Sequence, residues 1–432
     1  MSTTIFPLNY KGDFINGRFV PVTKGDGEFQ NYSPADLKDL IMVVPFKHDH
    51  IEEACMAAKK AYPKWATLSL DERKSYLMRL KEMFDSHAEQ MAQAISRDTG
   101  KPAWEAMTEA KALGAKIDIT LNQSMKVVAD EHIANALPGV EGVIRHRSRG
   151  VMAVVGPFNF PAHLPNGHII PALITGNTVV FKPSEQTPAV GQMMAEMFEK
   201  AQFPAGVFNL VQGDGAAGGR LVANEHVDGI LFTGSYEVGL KIKQETLTHY
   251  WKILVLEMGG KNATVVWEDA DMDKAVYESL VGAYMTAGQR CSCTSRIIVH
   301  PKIAEEFTEK FYQAAKKLSI GHWTENTFMG PLITAASVEK YIRFQEIANR
   351  ENCESLMRGK PLDLKNKGYY VTPSIHIVNK FDPNSVYQKS EIFGPNVAIY
   401  QTDNWDHAME IVNSTGFGLV MALFTKNRAL YE

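Results

Sequence analysis

Between Val151 and Glu257 the chain repeats one pattern, in which short apolar runs rich in β-branched residues alternate with segments of helical period. The runs M-A-V-V, N-T-V-V-F, F-N-L-V and G-I-L-F read as strands. Segments around Pro165 to Ile174, Pro188 to Gln202, Ala216 to Ala223 and Glu237 to Leu247 read as the helices between them. Strands and helices in alternation predict parallel βαβ units, and right-handed crossovers turn these into a Rossmann-like sheet. The fold class expected is therefore α/β, with ligands bound at strand ends.

A length of 432 residues favours two or three domains. The formal charge of -4 is small for this size and no basic block stands out, which argues against nucleic acid or an anionic membrane as partner and leaves a small molecule. The N-terminal M-S-T-T-I-F-P-L lacks a basic region followed by an apolar core, and no apolar run reaches membrane-span length, so a cytoplasmic protein is expected. Cys55, Cys291, Cys293 and Cys353 are too few and too scattered for a disulfide framework, and the C-x-C pair lacks the other ligands of a zinc site. Reduced thiols and no metal are the expectation.

Before the alternating region, Phe14 to Val22 and Gly27 to Ser33 read as strands, and Asp49 to Pro63 as a helix. From Ser69 to about Leu121 the period is helical, with a capping-box pattern at Ser69 and Glu72 and a break at Gly100-Lys101-Pro102. Trp104 and the methionines of this stretch are expected in the core. Residues Ala134 to Arg149, with Pro138, Gly139 and Gly142, look like a hairpin arm reaching a second subunit. Later, Asp271 to Met285 reads as a helix, while Gly368 to Val378 and Asn396 to Thr402 read as strands.

Several junctions carry chemistry. After the first strand of the repeat, G-P-F-N-F-P holds Asn159 in a rigid turn, where an asparagine also commonly caps backbone. After the second, F-K-P-S-E offers Lys182 and Glu185, a pair able to hold ribose hydroxyls or simply to be solvated, ahead of a helix with Thr187 as cap and Pro188 at its first position. F-T-G-S-Y-E-V-G brackets a strand-to-helix turn between Gly234 and Gly239; the spacing is not G-x-G-x-x-G, but glycine there would let backbone approach a pyrophosphate at a helix N-terminus. L-V-L-E-M-G-G-K-N ends a strand at Glu257, whose apolar neighbours predict a partly desolvated carboxylate. T-A-G-Q-R-C-S-C places Cys291 after a polar turn, an odd place to store an apolar thiol, although burial is the commonest fate of cysteine. S-E-I-F-G-P puts Glu391 and Phe393 on one loop.

Together, G-P-F-N-F-P, F-K-P-S-E, F-T-G-S, L-E-M-G-G-K-N, G-Q-R-C and E-I-F-G-P, in this order, resemble the aldehyde dehydrogenase superfamily over essentially the whole chain. The segment R-H-R-S-R-G-V-M-A-V-V-G-P-F-N-F-P-A-H-L-P-N-G-H, with T-A-G-Q-R-C-S-C, resembles more closely the N-succinylglutamate 5-semialdehyde dehydrogenases of arginine catabolism. The resemblance implies that Cys291 is the nucleophile, that Asn159 and the Cys291 backbone N–H hold the oxyanion, and that Glu257 is the base for thioester hydrolysis. It implies Lys182 and Glu185 at the adenosine ribose, Gly234, Ser235 and Gly239 at the pyrophosphate turn, and Glu391 and Phe393 at the nicotinamide ribose. A carboxylate facing the ribose disfavours a 2'-phosphate, so NAD is expected over NADP.

The implied organisation is an NAD-binding domain of residues 1–133 and 150–256, an oligomerisation arm at 134–149, and a catalytic domain at 257–432 that is C-terminally incomplete against the family's pattern. A homo-oligomer, a dimer, is expected if that C-terminal segment is present. Other readings stay open: a different semialdehyde or broad specificity, a coenzyme-A-acylating enzyme, or a shortened NAD-binding chain with little turnover. The anchors for a dicarboxylic substrate could be His163, His168, Arg290 or residues outside this sequence.

Overall fold

The computed structural model of the chain describes residues 8–432. It divides into two units, one holding the described residues up to Tyr32, Asp39–Asp98 and Ala106–Glu257, the other Ser33–Lys38, Thr99–Glu105 and Met258–Glu432. Two short segments, 33–38 and 99–105, thus belong with the second unit, which a linear reading of the sequence assigns to the first.

The first unit carries β1 (Asp13–Ile15), β2 (Arg18–Val20), β3 (Gly27–Ser33), β4 (Asp36–Phe46), β5 (Glu131–Leu137), β6 (Val140–Ile144), β7 (Val151–Val155), β8 (Thr178–Lys182), β9 (Phe208–Leu210), β10 (Gly229–Gly234) and β11 (Ile253–Met258). Its main sheet has the order β11-β10-β7-β8-β9-β1-β2. Strands β10, β7, β8 and β9 pair in parallel, and β1 adds antiparallel to β9. β7 and β8 are buried along almost their whole length, as expected of strands covered on both faces. Helices Asp49–Thr67, His163–Ile174 and Pro188–Lys200 supply the cover. Trp65, fully buried, donates its indole N–H to the carbonyl of Leu173 at 3.0 Å, and Phe198 stacks on Phe208 with ring centroids 3.8 Å apart. The capping box at Ser69 and Glu72 forms at the start of helix Leu70–Ser86, as the sequence predicts.

The alternating region runs from β7 through β8 to β9 and then returns to place β10 on the other side of β7, and side chains fix its strand starts. Asn177 accepts from the backbone N–H groups of Arg149 and Gly150 at 2.7 and 3.1 Å, while Asp228 accepts from Val151 N–H at 2.9 Å. At the edge, β11 alternates between exposed and half-buried residues. β5 and β6 form an antiparallel hairpin with Leu137 and Val140 exposed.

The second unit contains β12 (Asn262–Val266), β13 (Thr294–Val299), β14 (Glu354–Met357), β15 (Ser374–Ile377), β16 (Asn396–Gln401) and β17 (Met421–Phe424) in the order β14-β15-β16-β13-β12-β17. All pairings are parallel except that of β14. The strand expected over Gly368 to Val378 shrinks to β15, because Pro373 has no N–H to give a ladder. β14 escapes sequence reading, since E-S-L-M has no strong strand propensity and is half-exposed. Beneath the sheet, the buried Arg296 donates twice to the carbonyl of Lys261, at 2.9 and 2.6 Å, and once to that of Val412 at 3.0 Å. This one guanidinium fastens the turn before β12 to the end of helix Trp405–Asn413. Trp104 is not core: it is 39% exposed, with its indole N–H on the carbonyl of Thr327 at 2.8 Å. Among the described residues, no helix is long and apolar enough to cross a membrane.

Candidate active site

In the first unit, β8 ends at Lys182, whose side chain is buried apart from a few per cent of its surface. Its ammonium donates to the carbonyl of Pro183 at 3.0 Å and stands 3.7 Å from the carboxylate of Glu185. Burial pulls the lysine below its ordinary range, and Glu185 and Asp214 oppose that shift. The expected pair is therefore assembled, with the carboxylate side 45% exposed and available to a ligand. Thr187 stands at the cap position before Pro188, but its hydroxyl makes no capping bond to the helix. The sequence expectation of a Thr187 cap holds for position only, because the Val190 N–H in the first turn donates instead to the buried Asp98 carboxylate at 3.0 Å.

At the end of β10, Ser235 caps helix Tyr236–Glu245 by accepting from Val238 N–H at 3.3 Å, and Gly239 lies buried in that helix. Gly234 also meets a steric demand from within the chain. A Cβ there would stand 2.4 Å from the Phe232 ring, so the missing side chain makes room for the chain's own aromatic.

Asn159 is buried in the loop after β7. That loop leads into helix His163–Ile174, whose first N–H groups, Ala162 and His163, both donate to Glu109 at 3.0 and 3.1 Å. A buried carboxylate thus does the capping, with the favourable sign for a helix N-terminus. His168 lies on the same helix 3.2 Å from the hydroxyl of Thr233, and burial lowers its basicity. Glu257 on β11 is solvent-exposed, so the desolvation expected from Leu254, Val255 and Leu256 is absent: edge-strand alternation turns its side chain outward.

In the second unit, helix Met272–Tyr284 gives way to Thr286, Ala287 and Gly288, all with left-handed backbone at φ of 59°, 54° and 69°. For Thr and Ala this conformation costs about 1–2 kcal/mol each, which surrounding bonds must hold. Gln289 supplies some of them, donating to the carbonyls of Thr286 and Pro331 at 3.2 and 3.3 Å and accepting from Ile333 N–H at 3.0 Å. Arg290 donates to the Thr286 hydroxyl at 2.6 Å and to Glu105 at 2.9 Å, and Thr286 in turn donates to Glu105. Arg290 is thereby held by the chain's own carboxylate, which weakens it as a substrate anchor.

Cys291 follows this turn and is partly exposed; Cys55, Cys293 and Cys353 are buried. Burial pushes those three thiols up, to about 12, 12 and 11, so they are inert as thiolates near neutrality. The carbonyl of Cys291 accepts from the Asn262 side-chain amide at 2.6 Å and lies so near Gly260 that a Cβ there would stand 2.0 Å from it. Gly260 N–H in turn donates to Glu391 at 2.8 Å. Gly260 is thus a neighbour of both the Cys291 carbonyl and the Glu391 carboxylate. Glu391 and Phe393, the latter with φ of 59°, line a small pocket with Gly260, Gly288, Arg290 and Cys293.

The sequence matches the Aldehyde dehydrogenase family over residues 21–432. The chain belongs to that family. It is 38% identical over 385 residues to an N-succinylglutamate 5-semialdehyde dehydrogenase of Acinetobacter baylyi, covering 88% of this chain and 77% of the relative. Its identity to the protein of the same description from Serratia proteamaculans is 36% over 431 residues, covering 98% and 86%. Its fold superposes with a TM-score of 0.91 on a structure described as an E. coli NADP dependent enzyme, at 29% identity over 99% of this chain and 88% of that one. This aldehyde dehydrogenase is thus an oxidoreductase with the α/β fold of its family. Glu105, Glu109 and Thr286 carry no role in the sequence reading, although Thr286 opens the T-A-G-Q-R-C-S-C run and Glu105 stands in the first turn of helix Ala103–Asn122.

Proposed function

We propose that this aldehyde dehydrogenase oxidises a semialdehyde, N-succinylglutamate 5-semialdehyde foremost, to the carboxylate with NAD in the cytoplasm. The observation that carries the chemistry is the selective exposure of Cys291 among four cysteines, in a turn held against its own backbone preference. Support for the substrate comes from the two relatives of that description at 36–38% identity.

In this reading the Cys291 thiolate attacks the aldehyde carbon, a C–S bond forms, and the carbonyl oxygen becomes an oxyanion. The Asn159 amide and the Cys291 N–H donate to that oxygen. Loss of hydride from the thiohemiacetal carbon leaves a thioester on Cys291. Glu257 then takes a proton from the water that attacks the thioester; the C–S bond breaks and the thiolate returns. Glu257 is solvent-exposed, so its competence as base rests on position rather than on a dry environment.

The residues present fit a dinucleotide. A buried lysine beside a half-exposed carboxylate suits ribose hydroxyls, and Ser235 opens a helix N-terminus suited to a pyrophosphate. Glu391, beside Gly260, and Phe393 suit the nicotinamide ribose. When bound, the dinucleotide supplies the hydride acceptor. Glu185 supports NAD over NADP by like-charge repulsion of a 2'-phosphate. The hairpin of β5 and β6, with exposed Ile133, Leu137, Val140 and Val143, is suited to pairing with a second copy.

The test is a comparison of initial rates for succinylglutamate, glutamate and succinate semialdehydes and simple alkanals, with each of NAD and NADP and with coenzyme A added. The succinylated substrate with NAD is expected to be fastest and coenzyme A to have no effect. Preference for alkanals overturns the substrate, preference for NADP overturns the Glu185 assignment, and stimulation by coenzyme A overturns hydrolysis.

A further inference from the structure

We propose that Glu105 and Arg290 are positioning residues for Cys291, holding the left-handed turn that presents the thiol. This rests on the reading of Cys291 as nucleophile. Glu105 is fully buried, and its Oε1 accepts from both the Thr286 hydroxyl and Arg290 Nη2. Arg290 Nε closes the ring by donating to the same hydroxyl at 2.6 Å. The three side chains therefore tie the first residue of the strained turn, Thr286, to the residue immediately before Cys291.

Two properties of the ring make it more than a generic brace. Thr286 is β-branched, the residue type that least tolerates positive φ, so this conformer exists because its hydroxyl is claimed from two sides. The pair is also self-neutralising next to thiols: the guanidinium favours thiolate at neighbouring Cys293 while Glu105 opposes it. Removing the carboxylate alone loosens the turn and takes one negative charge away from beside the thiols. Geometry then worsens while thiolate formation becomes easier, two effects that separate in experiment.

The test compares Glu105→Gln, Thr286→Val and Thr286→Ser with the parent chain in kcat, in KM for NAD, and in the pH dependence of Cys291 alkylation by iodoacetamide, followed by peptide mass spectrometry. In Glu105→Gln, kcat is expected to fall at least about tenfold with KM for NAD unchanged within about twofold, and the alkylation midpoint to move to lower pH. Thr286→Val should lose activity similarly and Thr286→Ser should restore it. Parent-like kcat and alkylation in Glu105→Gln and Thr286→Val overturn the proposal. If Glu105→Gln fails to fold by circular dichroism, Arg290→Lys decides: it keeps the charge but not the fork, so a similar loss of kcat supports the ring and parent-like kcat overturns it. Alkylation needs no turnover, so it reports positioning even if Cys291→Ala proves active, the result that would instead remove the nucleophile reading.

Discussion

The side-chain amide of Asn262 donates to the carbonyl oxygen of Cys291 at 2.6 Å and to that of Cys293 at 3.0 Å. One amide at the start of β12 thus fixes the backbone on both sides of Ser292. Replacing it by alanine leaves two carbonyls without this donor, at a cost of about 1–3 kcal/mol. We expect Asn262→Ala to lower kcat by about tenfold or more, with little change in KM for NAD; steady-state kinetics will read the split.

Gly260 is the second constraint on that segment. A methyl group there would stand 2.0 Å from the Cys291 carbonyl oxygen and 2.9 Å from the Asn262 amide nitrogen, neither of which can retreat without breaking the bond between them. Gly260→Ala should therefore displace the Cys291 turn, destabilise the chain by about 1–3 kcal/mol and abolish NADH formation. Thermal melts alongside activity will check both effects.

Thiol accessibility predicts selective chemistry. Brief treatment with iodoacetamide near neutral pH should modify Cys291 and leave Cys55, Cys293 and Cys353 intact, because burial holds those three at about 12, 12 and 11. Peptide mapping will show the site, and inactivation should follow the same time course.

Lys261 gives a pH signature. Its ammonium nitrogen is buried without a hydrogen-bond partner among the described residues, and burial, reinforced by Arg296, lowers it to about 7 from 10.5. The folded chain then binds fewer protons here than the unfolded chain between these two values, so this residue adds stability as pH rises through that window, by at most about 1.4 kcal/mol per pH unit. Below it, a charge must be kept in the core. Lys261→Met should accordingly gain on the parent at pH 6.5 and lose that advantage by pH 9.5, as read by the difference in Tm.

Much of this architecture is legible in the sequence because it depends on local signals. The β-branched runs gave β7, β8 and β10, Ser69 and Glu72 gave a cap, and the polar turn before Cys291 argued correctly against its burial. What escaped depends on partners far apart in the chain. Arg290 and Glu105 are 185 residues apart, and no periodicity encodes their bond. The exposure of Glu257 is not legible locally, because apolar neighbours along a strand say nothing about which face its own side chain takes at an edge. The packing of the Phe232 ring against Gly234 is likewise invisible to a motif reading, which sees only a glycine at a turn.

The thioester cycle on Cys291 is tested most directly by mixing Glu257→Gln with NAD and the preferred semialdehyde and following NADH and intact mass together. A burst of one NADH per active site, with an acyl adduct mapped to Cys291 and slow release, is predicted. No burst, or an adduct on another residue, would contradict it.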